Sequence, residues 1–405
     1  MAQLAICGGK PVREKPYPSW PVFDEREEKA LLEVLRSGKW GRVNGKKNEE
    51  FEEKFAKYHS AKFGITCVNG TAALEIALRA LGIGTGDEVI VPAYTFIATA
   101  SSVLMVGAKP IFVDIDPKTY NIDPDKIEPA ITSKTKAIIP VHIGGCPANM
   151  DKILEIAKKY NLKVLEDAAQ AHGAEWRGKK VGALGDMGIF SFQSSKNINA
   201  GEGGIILTNN EELAEKAWSL MNVGRSRKGE WYMHYILSGN YRMTEFQAGI
   251  LLAQMERMEE LMRKREENAR YLTEKLKEIK GIEILTPDEG VSRHAYHLFI
   301  FKYKSSYFKG LPKMEFIKAM NAEGIPLKPG YTTPLYKIPA ISNSLKGDQC
   351  DLYLPETERA CKEEGVWFSQ NVLLGTKEDM DDIIIAIKKI QENVDEILER
   401  MEVER

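Results

Sequence analysis

From Ala61 onward the apolar residues fall into short continuous runs, separated by stretches in which apolar positions recur every three or four residues. That texture is the signature of buried strands alternating with amphipathic helices. The runs predict strands over 63–68, 88–91, 109–113, 137–141, 163–166 and 188–192, and the periodic stretches predict helices over 72–81, 97–106, 124–131 and 150–160. Because strands such as Ala137-Ile-Ile-Pro-Val141 are apolar on both faces, the sheet they build is mainly parallel and covered by helices on both sides. The fold class expected is therefore α/β.

Ahead of this block, Pro11, Pro16, Pro18 and Pro21 impose an extended arm over 10–22, and helices are expected over 24–37 and 49–58. Behind it, 211–222 and the long periodic stretch 244–276 read as helices. Core packing accounts for the stripe Phe246, Ile250, Leu251, Met255, Met258, Leu261 and Met262 on the latter. After Gly281 strands over 282–285 and 296–303 mix with helices over 313–323 and 377–400. Two domains follow: 1–260, an arm plus a large α/β domain, and 261–405, a smaller α+β domain, with the boundary inside the long helix.

Bulk properties narrow the function classes. A formal net charge of -2 over 405 residues gives no electrostatic reason to expect nucleic acid or an anionic membrane as partner. Five cysteines, an odd number without a CxxC pair, indicate neither a zinc site nor a complete disulfide framework, so no metal is expected. Residues 1–10 lack the basic start and apolar core of a signal peptide, and no apolar run reaches the ~18 residues of a membrane span. A cytoplasmic protein is the expectation.

Ligands of open parallel sheets sit outside the carboxyl ends of the strands, and four motifs fall there. Asn69-Gly70-Thr71 opens a helix after the first strand. It is either an ordinary N-cap or, through free N–H groups and the helix dipole, a phosphate site. Tyr94-Thr95-Phe96 follows the second strand, and Phe96 either caps the core or lies flat on a planar ligand. The run Glu166-Asp167-Ala-Ala-Gln170-Ala-His172 brings two carboxylates, an amide and an imidazole to the end of a buried strand. A carboxylate there could hold a pyridine nitrogen protonated, whereas His172 is as easily structural. Last, Ser191-Phe-Gln193-Ser-Ser-Lys196, followed by Gly201-Glu-Gly-Gly204, places a lysine between an apolar strand and a glycine cluster. It is either a solvated loop lysine or an amine tuned to condense with an aldehyde cofactor.

Taken together with Gly239-Asn-Tyr-Arg-Met-Thr244, these motifs resemble the DegT/DnrJ/EryC1/StrS family of pyridoxal-phosphate sugar and cyclitol aminotransferases, over essentially the whole chain. The resemblance implies a fold-type I transferase with a seven-stranded-type sheet, pyridoxal 5'-phosphate as cofactor, Lys196 as its covalent anchor and Asp167 as partner of the ring nitrogen. It further implies that Phe96 stacks on the ring, that Gln170 bonds the ring hydroxyl, and that Gly70, Thr71 and Ser191 contact the phosphate. Asn240 would reach the phosphate of a neighbouring subunit, making the active unit a homodimer. Arg242 and His172 are candidates for contact with substrate.

Gln193 departs from the histidine usual in nucleotide-sugar members. Ser-Phe-Gln is similar to the subgroup acting on keto-cyclitols such as scyllo-inosose and to 3-amino-5-hydroxybenzoate synthases, as are Cys361-Lys-Glu-Glu-Gly-Val-Trp-Phe368 and Val372-Leu-Leu-Gly375. The reaction implied is transfer of an amino group from L-glutamate or L-glutamine to a cyclic ketone. The rivals are a nucleotide-linked keto-sugar acceptor, a sugar dehydratase, which would replace Lys196 by histidine, and a regulatory protein that binds the cofactor without turnover.

Overall fold

Seven strands set the site, and all but one run in the same direction. In the computed structural model, which describes residues 3–230, 232–345 and 351–403, the strands are numbered in chain order; Cys350 lies outside the described residues. They are β1 (Phe63–Cys67), β2 (Glu88–Pro92), β3 (Lys109–Val113), β4 (Thr135–Ile138), β5 (Lys163–Asp167), the short β6 (Glu175–Trp176) and β7 (Lys179–Lys180), β8 (Met187–Ser191), β9 (Gly204–Thr208), β10 (Ile282–Ile284), β11 (Val291–Arg293), β12 (Leu298–Tyr303) and β13 (Gly365–Ser369). The large sheet has the order β1-β9-β8-β5-β4-β2-β3, with β9 antiparallel to both neighbours. Two three-stranded sheets, β10-β12-β13 and β11-β6-β7, complete the set.

The helices are α1 (Glu25–Ser37), α2 (Lys47–Tyr58), α3 (Gly70–Ala80), α4 (Ala98–Met105), α5 (Met150–Tyr160), α6 (Glu211–Met221), α7 (Glu245–Leu276), α8 (Lys313–Ala322), α9 (Pro339–Ser344), α10 (Pro355–Arg359), α11 (Lys377–Glu392) and α12 (Val394–Val403). Helices α3, α4 and α6 bury Ala73, Leu78, Val103 and Ala217 against one face of the large sheet. Helices α2, α5 and α7 bury Phe51, Phe55, Ile153 and Leu251 against the other. Along α7 the packing passes from that core, at Met258 and Met262, to a separate cluster that takes Ala269, Leu272 and Leu276 together with β12, β13, α8 and α11. Leu4, from the opposite end of the chain, belongs to this last cluster.

Local chemistry explains where the strand and helix expectations fail. In place of a helix over 124–131 there are two single 3-10 turns, Pro124–Lys126 and Glu128–Ala130, because Pro129 has no N–H to continue the ladder. Strand β4 ends at Ile138 and pairing resumes only as an isolated bridge from Val141 to Asp167, since Pro140 interrupts it. The helix expected over 377–400 breaks at Asn393, whose side chain donates to Lys389 O at 2.7 Å and competes with the backbone ladder. Strand β9 has no counterpart among the expected strands, although Ile205-Ile-Leu207 between turn residues carries the signal for it.

Candidate active site

Strand β5 delivers two buried carboxylates, and the fold treats them differently. Glu166 accepts from the N–H groups of Gly182, Leu184 and Gly185 at 2.6–2.8 Å and lies 3.1 Å from His142 Nε2, so it is consumed in fixing the turn after β7. Asp167 accepts from Thr99 Oγ1 at 2.8 Å and from the N–H of Ala169 at 3.2 Å, and it lines a cavity of about 580 Å³ at the carboxyl end of the sheet. Burial pushes its pKa up, opposed by the Thr99 and Ala169 hydrogen bonds and by the charge of Lys196. One acid is thus structural and the other faces the cavity.

Lys196 stands on the same cavity, half-buried, in the tight loop that joins β8 to β9. The loop is closed by Phe192 N–H to Gly203 O at 2.8 Å, Ser194 N–H to Gly201 O at 2.9 Å and Lys196 N–H to Gln193 O at 2.9 Å. Gly201, at φ +80°, makes the return possible. Desolvation lowers the Lys196 pKa to about 8, against the opposing attraction of Asp167. An amine in that range is a nucleophile near neutral pH.

Backbone groups form the third wall. Asn69 caps α3 by accepting from the Ala72 N–H at 2.8 Å, leaving the N–H groups of Gly70 and Thr71 without partners among the described residues at the rim of the cavity. Glycine is needed here because a Cβ on Gly70 would meet Ser191 Cβ at 2.8 Å. The Ser191 hydroxyl therefore lies against the helix N-terminus, where partial positive charge favours an anion. Phe96, with 56% of its surface exposed, flanks the cavity. Gln170 is held from both sides: its Oε1 accepts from the Gly144 N–H at 2.7 Å and its Nε2 donates to Tyr331 Oη at 3.1 Å.

Gly70, Thr71, Phe96, Asp167, Gln170, Ser191, Gln193 and Lys196 all line this one cavity. Three other candidates do not. His172 is fully buried among Phe55, Phe190 and Phe192 behind the lysine loop, where burial drives its pKa well down. Asn240 is exposed and accepts from the Arg242 N–H at 3.2 Å. Arg242 donates to Asn222 Oδ1 at 2.9 Å and faces a separate cleft of about 720 Å³ shared with Arg42 and Arg225, which holds none of the strand-end motifs.

Four residues of the site were not foreseen from their chemistry. Thr99 gives only a helix-start threonine as signal. His297, buried and drawn well below the usual histidine range, is paired to Asn197 Oδ1 at 3.2 Å. Tyr331, after Pro329-Gly330, and Trp367 form an edge-to-face pair with centroids 5.0 Å apart on the cavity wall.

The geometry agrees with known proteins. A solved 3-amino-5-hydroxybenzoic acid synthase superposes with a TM-score of 0.86 at 32% identity, over 96% of this chain and 100% of that one. A Streptoalloteichus tenebrarius protein provisionally named an L-glutamine:3-amino-2,3-dideoxy-scyllo-inosose aminotransferase is 40% identical, over 97% of this chain and 99% of its own length. A GDP-perosamine synthase of Caulobacter vibrioides is 40% identical over 91% and 96% of the two chains. A Geobacillus stearothermophilus protein named a pleiotropic regulatory protein is 43% identical over 83% and 87%. With residues 21–388 matching its family model, the chain belongs to the DegT/DnrJ/EryC1/StrS aminotransferase family, a family of pyridoxal-phosphate-dependent enzymes.

Proposed function

We propose that this protein transfers an amino group from L-glutamine or L-glutamate to a cyclic ketone of the keto-cyclitol class, with pyridoxal phosphate held in the Lys196–Asp167 cavity. The observation that carries the reading is the convergence, in one cavity, of a desolvated amine, a hydrogen-bonded buried carboxylate and an unpartnered pair of helix N-terminal N–H groups beside a serine hydroxyl. That donor set fits an aromatic aldehyde bearing a basic ring nitrogen and a phosphate.

Gly70, Thr71 and Ser191 would hold the phosphate, Phe96 would cover a ring face, Gln170 would meet the ring hydroxyl, and Lys196 would anchor the aldehyde through Nζ. Asp167, whose charged form the Thr99 and Ala169 hydrogen bonds favour, would keep the ring nitrogen protonated. When bound, the cofactor supplies an electron sink for negative charge developing at the substrate carbon. Lys196 Nζ would be the base placed to carry a proton at that carbon. The buried walls around Asp167 exclude water from it.

Two features support an uncharged ring as acceptor. Among the described residues the cavity wall carries no arginine or lysine other than Lys196, so this chain offers a diphosphate little charge of its own. The wall also carries Tyr331, Trp367 and Leu298, apolar surface suited to a carbocycle. The likeness to a GDP-perosamine synthase favours the second reading, a nucleotide-linked keto-sugar.

A homodimer is inferred from the segment after Arg225, which exposes Tyr232, Tyr235 and Leu237, the last to 92%, and leads to Asn240 outside this chain's own cavity. Exposed apolar side chains in one loop suit an interface through which Asn240 reaches a neighbour.

The test is a half-reaction. The enzyme is converted to its pyridoxamine form with L-glutamine, and scyllo-inosose, other keto-cyclitols and nucleotide-linked keto-sugars are added in turn. Rapid return of the aldehyde-form absorbance with a keto-cyclitol supports the proposal. Return only with nucleotide-linked sugars overturns the acceptor class, and no return with any ketone would favour the regulatory reading.

A further inference from the structure

Lys313 is a buried cation in an unfavourable place. It is the first residue of α8, with 6% of its surface exposed, and the N-terminus of a helix repels positive charge. Burial without an ion pair among the described residues disfavours an ammonium further. Its Nζ instead donates to three main-chain carbonyls: Cys361 O at 2.5 Å, Pro329 O at 3.2 Å and Gly365 O at 3.4 Å.

Those carbonyls belong to the two segments that carry the aromatic wall of the cavity. Pro329 lies two residues before Tyr331, and Gly365 lies two residues before Trp367. The segments are laced together by Lys328 N–H to Trp367 O at 3.0 Å and Trp367 N–H to Lys328 O at 3.1 Å. They approach so closely that a Cβ on Gly330, at φ +75°, would meet Gly365 O at 2.8 Å. Cys361 O comes from a single π turn over Ala360–Glu364, which leads directly into β13. Such turns leave carbonyls out of the regular ladder, and one of these is taken by Lys313. The Tyr331 Oη in turn accepts from Gln170 Nε2 at 3.1 Å.

We propose that Lys313 is a positioning residue for the acceptor half of the reaction: by stapling the backbones that carry Tyr331 and Trp367 it fixes the aromatic wall against which the cyclic ketone lies. This rests on the proposed aminotransferase reading of the cavity. Lys313 does not line the cavity and reaches it only through these two segments, so its loss is expected to fall first on the ketone that lies against Tyr331 and Trp367.

The experiment compares the two half-reactions in wild type, Lys313→Met and Lys313→Arg, with the ketone that serves the wild-type enzyme. Lys313→Met is expected to bind pyridoxal phosphate and react with L-glutamine at close to the wild-type rate, while kcat/KM for the ketone falls by about tenfold or more, chiefly through KM. Lys313→Arg, which restores a permanent cation with several donors, is expected to recover most of that loss. Where Lys313→Met is not recovered folded, Lys313→Gln, which keeps a donor, takes its place with the same expectation in smaller measure. An unchanged ketone half-reaction overturns the inference, as does an equal loss in both half-reactions that arginine does not repair, which marks a role in the fold alone. A wild-type enzyme inert in both half-reactions would overturn the aminotransferase reading instead.

Discussion

Thr99 Oγ1 donates to Asp167 Oδ2 across 2.8 Å, joining the first turn of α4 to the end of β5 at the floor of the cavity. The bond aims the carboxylate and favours its charged form against the burial that raises its pKa. Asp167→Asn keeps the shape and removes the charge; it is expected to fold, bind the cofactor and lose activity by about a hundredfold or more. Thr99→Val removes one hydrogen bond to a charged group, worth about 1.5–3 kcal/mol, and is expected to lower kcat by about tenfold or more. Steady-state rates on folded, cofactor-loaded protein check both, and near-normal turnover by Asp167→Asn would refute its role.

Because desolvation lowers the Lys196 pKa to about 8, its amine becomes nucleophilic at a lower pH than an ordinary lysine. The rate at which cofactor-free protein takes up pyridoxal phosphate covalently is expected to rise with pH through a midpoint near 8 and to level off above it, as the free amine is the reacting form. Stopped-flow absorbance measures it. A midpoint near the ordinary lysine value, about 10.4, would show that the amine is not desolvated.

Gln193 carries two meanings that one variant separates. Its Oε1 accepts from Ser195 N–H at 2.9 Å and Ser195 Oγ at 2.7 Å, and its main-chain oxygen accepts from Lys196 N–H, so it builds the turn that presents the lysine. The sequence expectation makes it a marker of acceptor class. Gln193→Ala is expected to slow covalent cofactor uptake at Lys196 several-fold, through loss of hydrogen bonds worth about 1 kcal/mol each. If uptake is unchanged and only the preference among ketones shifts, the side chain reads the substrate and the turn stands without it.

Four histidines are held neutral by burial: His59 and His294, with pKa values near 3, and His172 and His297, well below the ordinary range. Each has a folded-state pKa below its value in the unfolded chain, about 6.5. Their contribution to stability is therefore complete above that value and is lost as pH falls, by up to about 1.4 kcal/mol per histidine per pH unit. Tm is expected to drop steeply between pH 7 and 5, and His59→Phe to flatten the drop. A flat profile would mean that these rings are hydrated and titrate normally.

The large sheet was legible because its strands are apolar on both faces and its helices periodic, and the strand-end rule then led to the cavity that holds Lys196, Asp167 and Gly70. What escaped was set by contacts across the chain. Thr99, Tyr331 and His297 gain their meaning from Asp167, Gln170 and Asn197, partners distant in sequence that no local pattern announces. Strand β9 escapes for a different reason: the glycine cluster Gly201–Gly204 carries a loop signal that runs straight into the Ile-Ile-Leu run, and that strand is what places Gly204 against Asn69, where a Cβ would meet its carbonyl oxygen at 2.5 Å. His172 shows the opposite limit, since its position in the motif says nothing of the three phenylalanines around it.

The most direct test of the whole account is covalent. The purified protein is incubated with pyridoxal phosphate, reduced with borohydride, digested, and the labelled peptide sequenced by mass spectrometry. The expected result is a single stoichiometric adduct on Lys196 that disappears when excess L-glutamine is added before reduction. Labelling spread over surface lysines, or an adduct that neither L-glutamine nor L-glutamate displaces, would contradict an aminotransferase built on this cavity.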